Sequence, residues 1–294
     1  MRNFFHTSLL GILFSLTPLS GHAALAGDSL PAKAIILAAG DVAQCATTGA
    51  MQTAALIQTL PGTVLALGDL AYPKGSNDNF SQCYEPYWGK FKARTLPAPG
   101  NHEYLTPDAS GYFEYFGERA GKNHTGYYSI NIGQWHIVSL NSNIDSGPDS
   151  IQAKWLQNDL VNNRNTCILA FWHHPRFSSG KHGNSIHMST LWSILYDHHA
   201  SIVLAGHDHH YERFAPLNKA GQRDEKHGIR SFVVGTGGAK LYEIESPEPG
   251  SEARYNGSWG ILQLTLNTDS YGWQYIPVGD SQFQDSGTGR CVTQ

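Results

Sequence analysis

Five times in this chain, an apolar run of strand length stops at a residue that can bind a cation. Lys33–Ala39 leads to Gly40-Asp41, Val64–Leu67 to Gly68-Asp69, and Arg94–Pro97 to Gly100-Asn101-His102. Thr166–Phe171 leads to His173, and Ser201–Leu204 to Gly206-His207-Asp208-His209. Short, nearly continuous apolar runs of this kind read as strands covered on both faces. Helix-compatible stretches alternate with them, at about Thr47 to Leu60, Phe80 to Lys90, Ser150 to Leu160 and His187 to His199. The alternation points to an α/β layered architecture. In such sheets ligands bind in the crevice beyond the carboxyl ends of the strands. Five loops are therefore expected to deliver carboxylate, amide and imidazole groups to one rim.

The remaining pattern is β-rich. Tyr127–Ile132 and Trp135–Leu140 flank Gly133-Gln134 as an antiparallel hairpin, and Arg230–Val234, Trp259–Leu266 and Tyr271–Pro277 read as further strands. No repeat, linker or low-complexity tract interrupts residues 27–294, which are expected to form one catalytic domain with two sheets. Residues 1–26 read differently: Arg2, an apolar core from Leu9 to Leu16, then small residues to Ala26. That is the order of a secretory signal peptide, and the apolar run is too short to span a bilayer. Cleavage is expected after Ala23 or Ala26, with an uncleaved anchor as the alternative. The mature chain is then exported, periplasmic or secreted, with no transmembrane segment.

Charge narrows the partners. Lys and Arg total 20 against 24 Asp and Glu, a formal charge of -4, with no basic run to face nucleic acid or an anionic membrane. The four cysteines, Cys45, Cys83, Cys167 and Cys291, are too far apart for a zinc knuckle. In an oxidising compartment an even count favours disulfides, and four cysteines allow three pairings. Cys45–Cys83 at one rim of the sheet, with Cys291 tying the C-terminal tail to Cys167, is the expected one. Reduced, buried cysteines are the alternative.

Asp, Asn and His are donors suited to Mn, Fe or Zn. The glycine before four of the groups permits an unusual φ and a close backbone approach. Two cations about 3.5–4 Å apart under a bridging carboxylate suit phosphoester hydrolysis. No Gly-x-Ser-x-Gly elbow and no P-loop occurs, which removes serine-hydrolase and nucleotide-triphosphatase readings.

Taken in order, Gly40-Asp41, Gly68-Asp69-Leu70-Ala71-Tyr72, Gly100-Asn101-His102-Glu103, His173-His174-Pro175 and Gly206-His207-Asp208-His209 resemble the calcineurin-like metallophosphoesterases. Tyr72, and Tyr211-Glu212-Arg213 after the paired histidines, look more specifically like purple acid phosphatases. Gly235-Thr236-Gly237-Gly238 and Trp273 are similar to small exported bacterial members. The resemblance implies a four-layer α/β/β/α sandwich with two mixed β-sheets. It implies one metal held by Asp41, Asp69, Tyr72 and His209, and a second by Asp69, Asn101, His173 and His207. His173 is preferred over His174 because it stands two residues before Pro175. A phenolate ligand favours Fe(III), paired with Zn, Mn or Fe(II); a di-zinc or di-manganese centre is the alternative.

The implied reaction is in-line attack of a metal-bound hydroxide on a phosphomonoester. A phosphodiesterase or nucleotide hydrolase with the same centre, and a non-enzymatic phosphate-binding or cell-surface scaffold, are the other readings. His102 is expected to reach the phosphoryl oxygens or protonate the leaving group, and His182, nine residues after His173, to face substrate. Arg176 is a candidate for phosphate contact or for a structural ion pair. Glu103 is expected to orient His102 or a loop. One departure stands out: the family's Gly-Asp-x-Gly is here Gly40-Asp41-Val42-Ala43, which leaves the local geometry open. Asn123 and Asn256 fit the glycosylation pattern.

Overall fold

The computed structural model describes residues 1–4, 33–244 and 246–293. The expected signal segment and its cleavage sites fall outside the described residues, apart from the first four. Among the described residues no helix is long and apolar enough to cross a membrane.

Among the described residues, thirteen strands are arranged in two mixed sheets. They are β1 (Ala34–Ala39), β2 (Thr63–Leu67), β3 (Thr95–Ala98), β4 (Tyr128–Ile132), β5 (Trp135–Ser139), β6 (Cys167–Phe171) and β7 (Ile202–Ala205). Then come β8 (Tyr211–Leu217), β9 (Ile229–Val234), β10 (Ser251–Tyr255), β11 (Gly260–Leu266), β12 (Ser270–Pro277) and β13 (Ser286–Arg290). The first sheet runs β13-β12-β11-β1-β2-β3 and the second β10-β8-β9-β7-β6-β5-β4. Strands β1, β2 and β3 are parallel neighbours, as are β5, β6, β7 and β9, so their carboxyl ends point the same way.

Alternation along β6 shows how the layers form. Cys167, Leu169 and Phe171 join the core shared with the first sheet, whereas Ile168 and Ala170 join the core under two helices. Those helices are Ile151–Asn162 and Ser189–Asp197. The first begins where the Ser150 hydroxyl caps the Ala153 amide at 3.0 Å, and it buries Ala153, Leu156 and Leu160. Helix Gly49–Gln58 packs against β11 on the first sheet through Ala50, Ala54 and Ile57. The expected four-layer sandwich is the observed one.

Phe80 to Lys90 is a correction. It is not one helix but a π-helical turn over Phe80–Tyr84 and a 3-10 stretch over Trp88–Arg94. Pro86 lies between them, and a proline lacks the amide a continuous helix needs there. Strands β8, β10 and β13 have no apolar run that would announce them; pairing with a neighbour defines each. Both expected disulfides are present, with Cα–Cα distances of 5.0 Å for Cys45–Cys83 and 5.4 Å for Cys167–Cys291.

Candidate metal centre

Loops from both sheets meet at the carboxyl ends of β1, β2, β3, β6 and β7. The unusual backbone there sits mostly on the chemical residues rather than on the glycines before them. Asp41, Asp69 and His207 have φ values of 58°, 51° and 72°, whereas only Gly68 among the four preceding glycines is left-handed. Non-glycine residues held there carry strain, a recurrent mark of functional sites. Gly100 is required for a different reason: a Cβ would overlap the Asp69 carboxylate. Ala43 needs no glycine, since it pairs in extended form with Ala71 and its amide donates to Leu70 O at 3.1 Å.

Donor atoms converge in two sets. In the first, Tyr72 Oη lies 3.1 Å from Asp41 Oδ1, 3.3 Å from Asp69 Oδ2 and 3.1 Å from His209 Nε2. His209 Nε2 is also 3.1 Å from Asp41 Oδ1. In the second, His173 Nε2 lies 3.2 Å from Asp69 Oδ2, 3.1 Å from Asn101 Oδ1 and 3.2 Å from His207 Nδ1. The two sets share one atom, Asp69 Oδ2. The other Asp69 oxygen accepts the His102 amide at 2.8 Å, and Asp41 Oδ2 accepts that of His207 at 2.8 Å.

Backbone carbonyls orient the imidazoles. His173 Nδ1 faces Leu67 O at 2.9 Å and His209 Nδ1 faces Lys240 O at 2.6 Å. A carbonyl only accepts, so both rings carry Nδ1–H and turn Nε2 inward. Each Nε2 then faces a carboxylate oxygen that only accepts, Asp69 Oδ2 for His173 and Asp41 Oδ1 for His209. The spacing of about 3.1–3.3 Å is also what ligands held at roughly 2.0–2.2 Å from one cation would show. The donor set therefore fits metal ions.

Electrostatics agree. Burial disfavours a charged His173, but Asp69 and Asp41 outweigh it and raise its pKa to about 9. Burial likewise opposes the Asp69 charge, yet His173 and His102 hold it well below the usual carboxylate range. The pocket demands positive charge. Burial, His173 and its other imidazole neighbours hold His207 neutral. Burial and the carboxylates of Asp41 and Asp69 push the Tyr72 phenol well up, so only a strongly polarising cation displaces its proton.

Other residues shape this centre. Buried Glu103 accepts four backbone amides: Asp69 at 2.9 Å, Leu70 at 2.8 Å, Ala71 at 3.2 Å and Gly100 at 2.8 Å. It ties the Asp69 loop to the Asn101 loop, which is one of the two roles expected of it. His102 Nδ1 engages Pro73 O at 2.5 Å, its ring leans on Tyr72, and its other nitrogen stays partly open. His182 is exposed, its ring 4.3 Å from that of His207.

His174 lies close enough to His173 and His207 for the three rings to share an ion. Its Nδ1, however, is 2.8 Å from Ser142 Oγ, and burial with neighbouring His173 lowers its pKa to about 3. Arg176 joins neither set. Its guanidinium lies 4.3 Å over the Phe177 ring.

Tyr242 was not expected. It stacks on His209 at 3.9 Å and 8°, and the only signal in the chain was its place just after Gly235–Gly238. Beside this face opens a cavity of about 610 Å³, lined by Tyr72, His102, His209, Gln44, Lys240 and the Cys45–Cys83 disulfide among others.

The sequence profile described as calcineurin-like phosphoesterase matches residues 34–211, more than half of the chain. Purple acid phosphatase 23 of Arabidopsis thaliana is 30% identical over 197 residues, covering 54% of this chain and 43% of that protein. Probable purple acid phosphatase 20 of the same plant is 26% identical over 238 residues, covering 71% and 53%. The chain thus spans about half the length of these relatives. Purple acid phosphatase PPD1 from yellow lupin seeds shares the fold, with a TM-score of 0.70 at 22% identity over 87% of this chain and 53% of that one. So does GAP50, the anchor in the inner membrane complex of Plasmodium, with a TM-score of 0.68 at 12% identity over 90% of each chain.

Proposed function

The chain belongs to the calcineurin-like phosphoesterase family, and we propose that it hydrolyses phosphomonoesters outside the cytoplasm at a centre of two metal ions. The observation that carries this reading is the pair of converging donor sets joined at Asp69 Oδ2. Asp41, Asp69, Tyr72 and His209 would hold one ion; Asp69, Asn101, His173 and His207 would hold the other. When bound, two such ions supply Lewis acidity toward phosphoryl oxygens and lower the pKa of water enough for attack near neutral pH. Tyr72 favours Fe(III) at the first position, with Zn, Mn or Fe(II) at the second.

The protein groups do the rest. The Leu67 and Lys240 carbonyls keep His173 and His209 in the tautomer that turns Nε2 inward. Glu103 holds the Asp69 and Asn101 loops at one spacing through its four amides. His102, with Nδ1 committed to Pro73 O, has Nε2 at the cavity to hold a proton for the departing alkoxide. His182 would meet the phosphoryl oxygens from the His207 side. Two disulfides support export, with residues 1–26 as the signal segment and 27–294 as the catalytic domain.

The cavity beside Tyr72 and His102 favours a second reading, since its 610 Å³ leaves room for the extra substituent of a phosphodiester or nucleotide. One experiment separates the readings: elemental analysis of purified protein, with turnover of p-nitrophenyl phosphate and its bis ester. Two ions per chain with faster monoester turnover is expected. Two ions with neither turnover would instead support an anchoring role.

A further inference from the structure

Asp208 stands between His207 and His209, fully buried, yet neither of its oxygens turns to the metal centre. Oδ2 accepts the Ser178 hydroxyl at 2.5 Å, and Oδ1 accepts the His182 amide at 2.9 Å. The Ser178 hydroxyl in turn accepts the Gly180 amide at 3.0 Å, and the Ser178 amide donates to Asn184 Oδ1 at 2.8 Å. Gly180 presses so close that a Cβ would overlap the Asp208 carboxylate. One residue on, a second buried carboxylate grips the same loop: Glu212 accepts the Ser179 amide at 2.8 Å and also the Ser179 and Ser251 hydroxyls. Among the described residues the Asp208 oxygens are met by these hydroxyl and amide donors. A buried carboxylate without a counter-cation is costly unless every oxygen is matched to a donor, and here the donors belong to the loop that carries His182.

We propose that Asp208 is the positioning residue for His182. It bolts the 178–184 loop to the turn bearing His207 and His209, so the distance from His182 to the centre is set by the ligand turn itself. Exposed Lys181 and His182 would otherwise ride on a free loop. The role of His182 rests on the function proposed above; the latch does not.

The test uses Asp208→Asn, and Ser178→Ala as the milder variant should the first fold poorly. Trypsin cleavage after Lys181 reads the loop directly and needs no turnover. It should accelerate about 10-fold in either variant, because a donor loses its acceptor and the loop opens more often. Unchanged cleavage in both overturns the latch, even in a chain that hydrolyses nothing. In active protein with two ions per chain, His182→Ala should lower kcat/KM by about 10²-fold. Asp208→Asn should approach that loss with metal content unchanged, and should add almost nothing once His182 is alanine. Full additivity of the two losses, or loss of metal in Asp208→Asn, would show that Asp208 acts on the ligand turn instead.

Discussion

Among the described residues, Asp41, Asp69, Glu103, Asp208 and Glu212 are carboxylates buried at one rim, and they fall into two regions. Asp41 and Asp69 each give one oxygen to a backbone amide and turn the other to imidazole nitrogens and a phenol oxygen. Glu103 and Asp208 face backbone amides and a serine hydroxyl, while Glu212 takes amide, hydroxyl and imidazole donors. Burial is the same in both regions, so burial cannot be what marks a site. The difference lies in the partner. Amide and hydroxyl donors are permanent, and they make the second region a set of fixed bolts. Imidazoles and a phenol exchange a proton for a cation, which makes the first region convertible.

The comparison breaks most clearly at Asp69. Asp69→Asn should cost about 10³-fold or more in kcat/KM and lower bound metal below two ions per chain, because the shared oxygen serves both sets. The far-ultraviolet circular dichroism should stay unchanged. Two ions and wild-type turnover in the purified variant would remove the shared-oxygen assignment.

Glu103 should respond in the opposite currency. Glu103→Gln sets an amide N–H₂ against backbone amides that need acceptors, and should lower stability by about 2–4 kcal/mol in urea. A loss within experimental error would show that Glu103 is not a bolt.

Metal removal sharpens the contrast further. In chelated protein the raised His173 pKa contributes stability in full below its ordinary value, and this is lost as pH rises through about 9. The loss should be roughly 1–3 kcal/mol between about pH 6.5 and 9, and loading with metal should abolish it. Urea midpoints across that range, with and without chelator, measure it.

The smallest effect on the fold is expected at Tyr72. Tyr72→Phe removes one hydroxyl and should change stability by no more than about 1 kcal/mol. It should also abolish the visible absorption of iron-loaded protein. A band that survives in the variant would place the chromophore elsewhere.

Much of this molecule was legible in the chain. The strand-end blocks, the α/β class and the pairing of Cys45 with Cys83 followed from run length, alternation and compartment, all properties of short stretches. Asp41, Asp69, Asn101, His173, His207 and His209 followed too, because a residue placed just after a parallel strand has little choice of rim; Tyr72 followed only from the family resemblance. Other features depended on contacts between distant segments. The tautomer of His173 is set by Leu67, 106 positions away, and that of His209 by Lys240, 31 positions away. Left-handed φ falls on Asp41, Asp69 and His207 as well as Gly68, while Gly40, Gly100 and Gly206 serve close backbone approach that leaves no room for a Cβ. What Asp208 holds is likewise decided by the 178–184 loop that lies against it. Local sequence determines which donors arrive at the rim; the direction in which each one points is decided by partners that only the folded chain brings within hydrogen-bond reach.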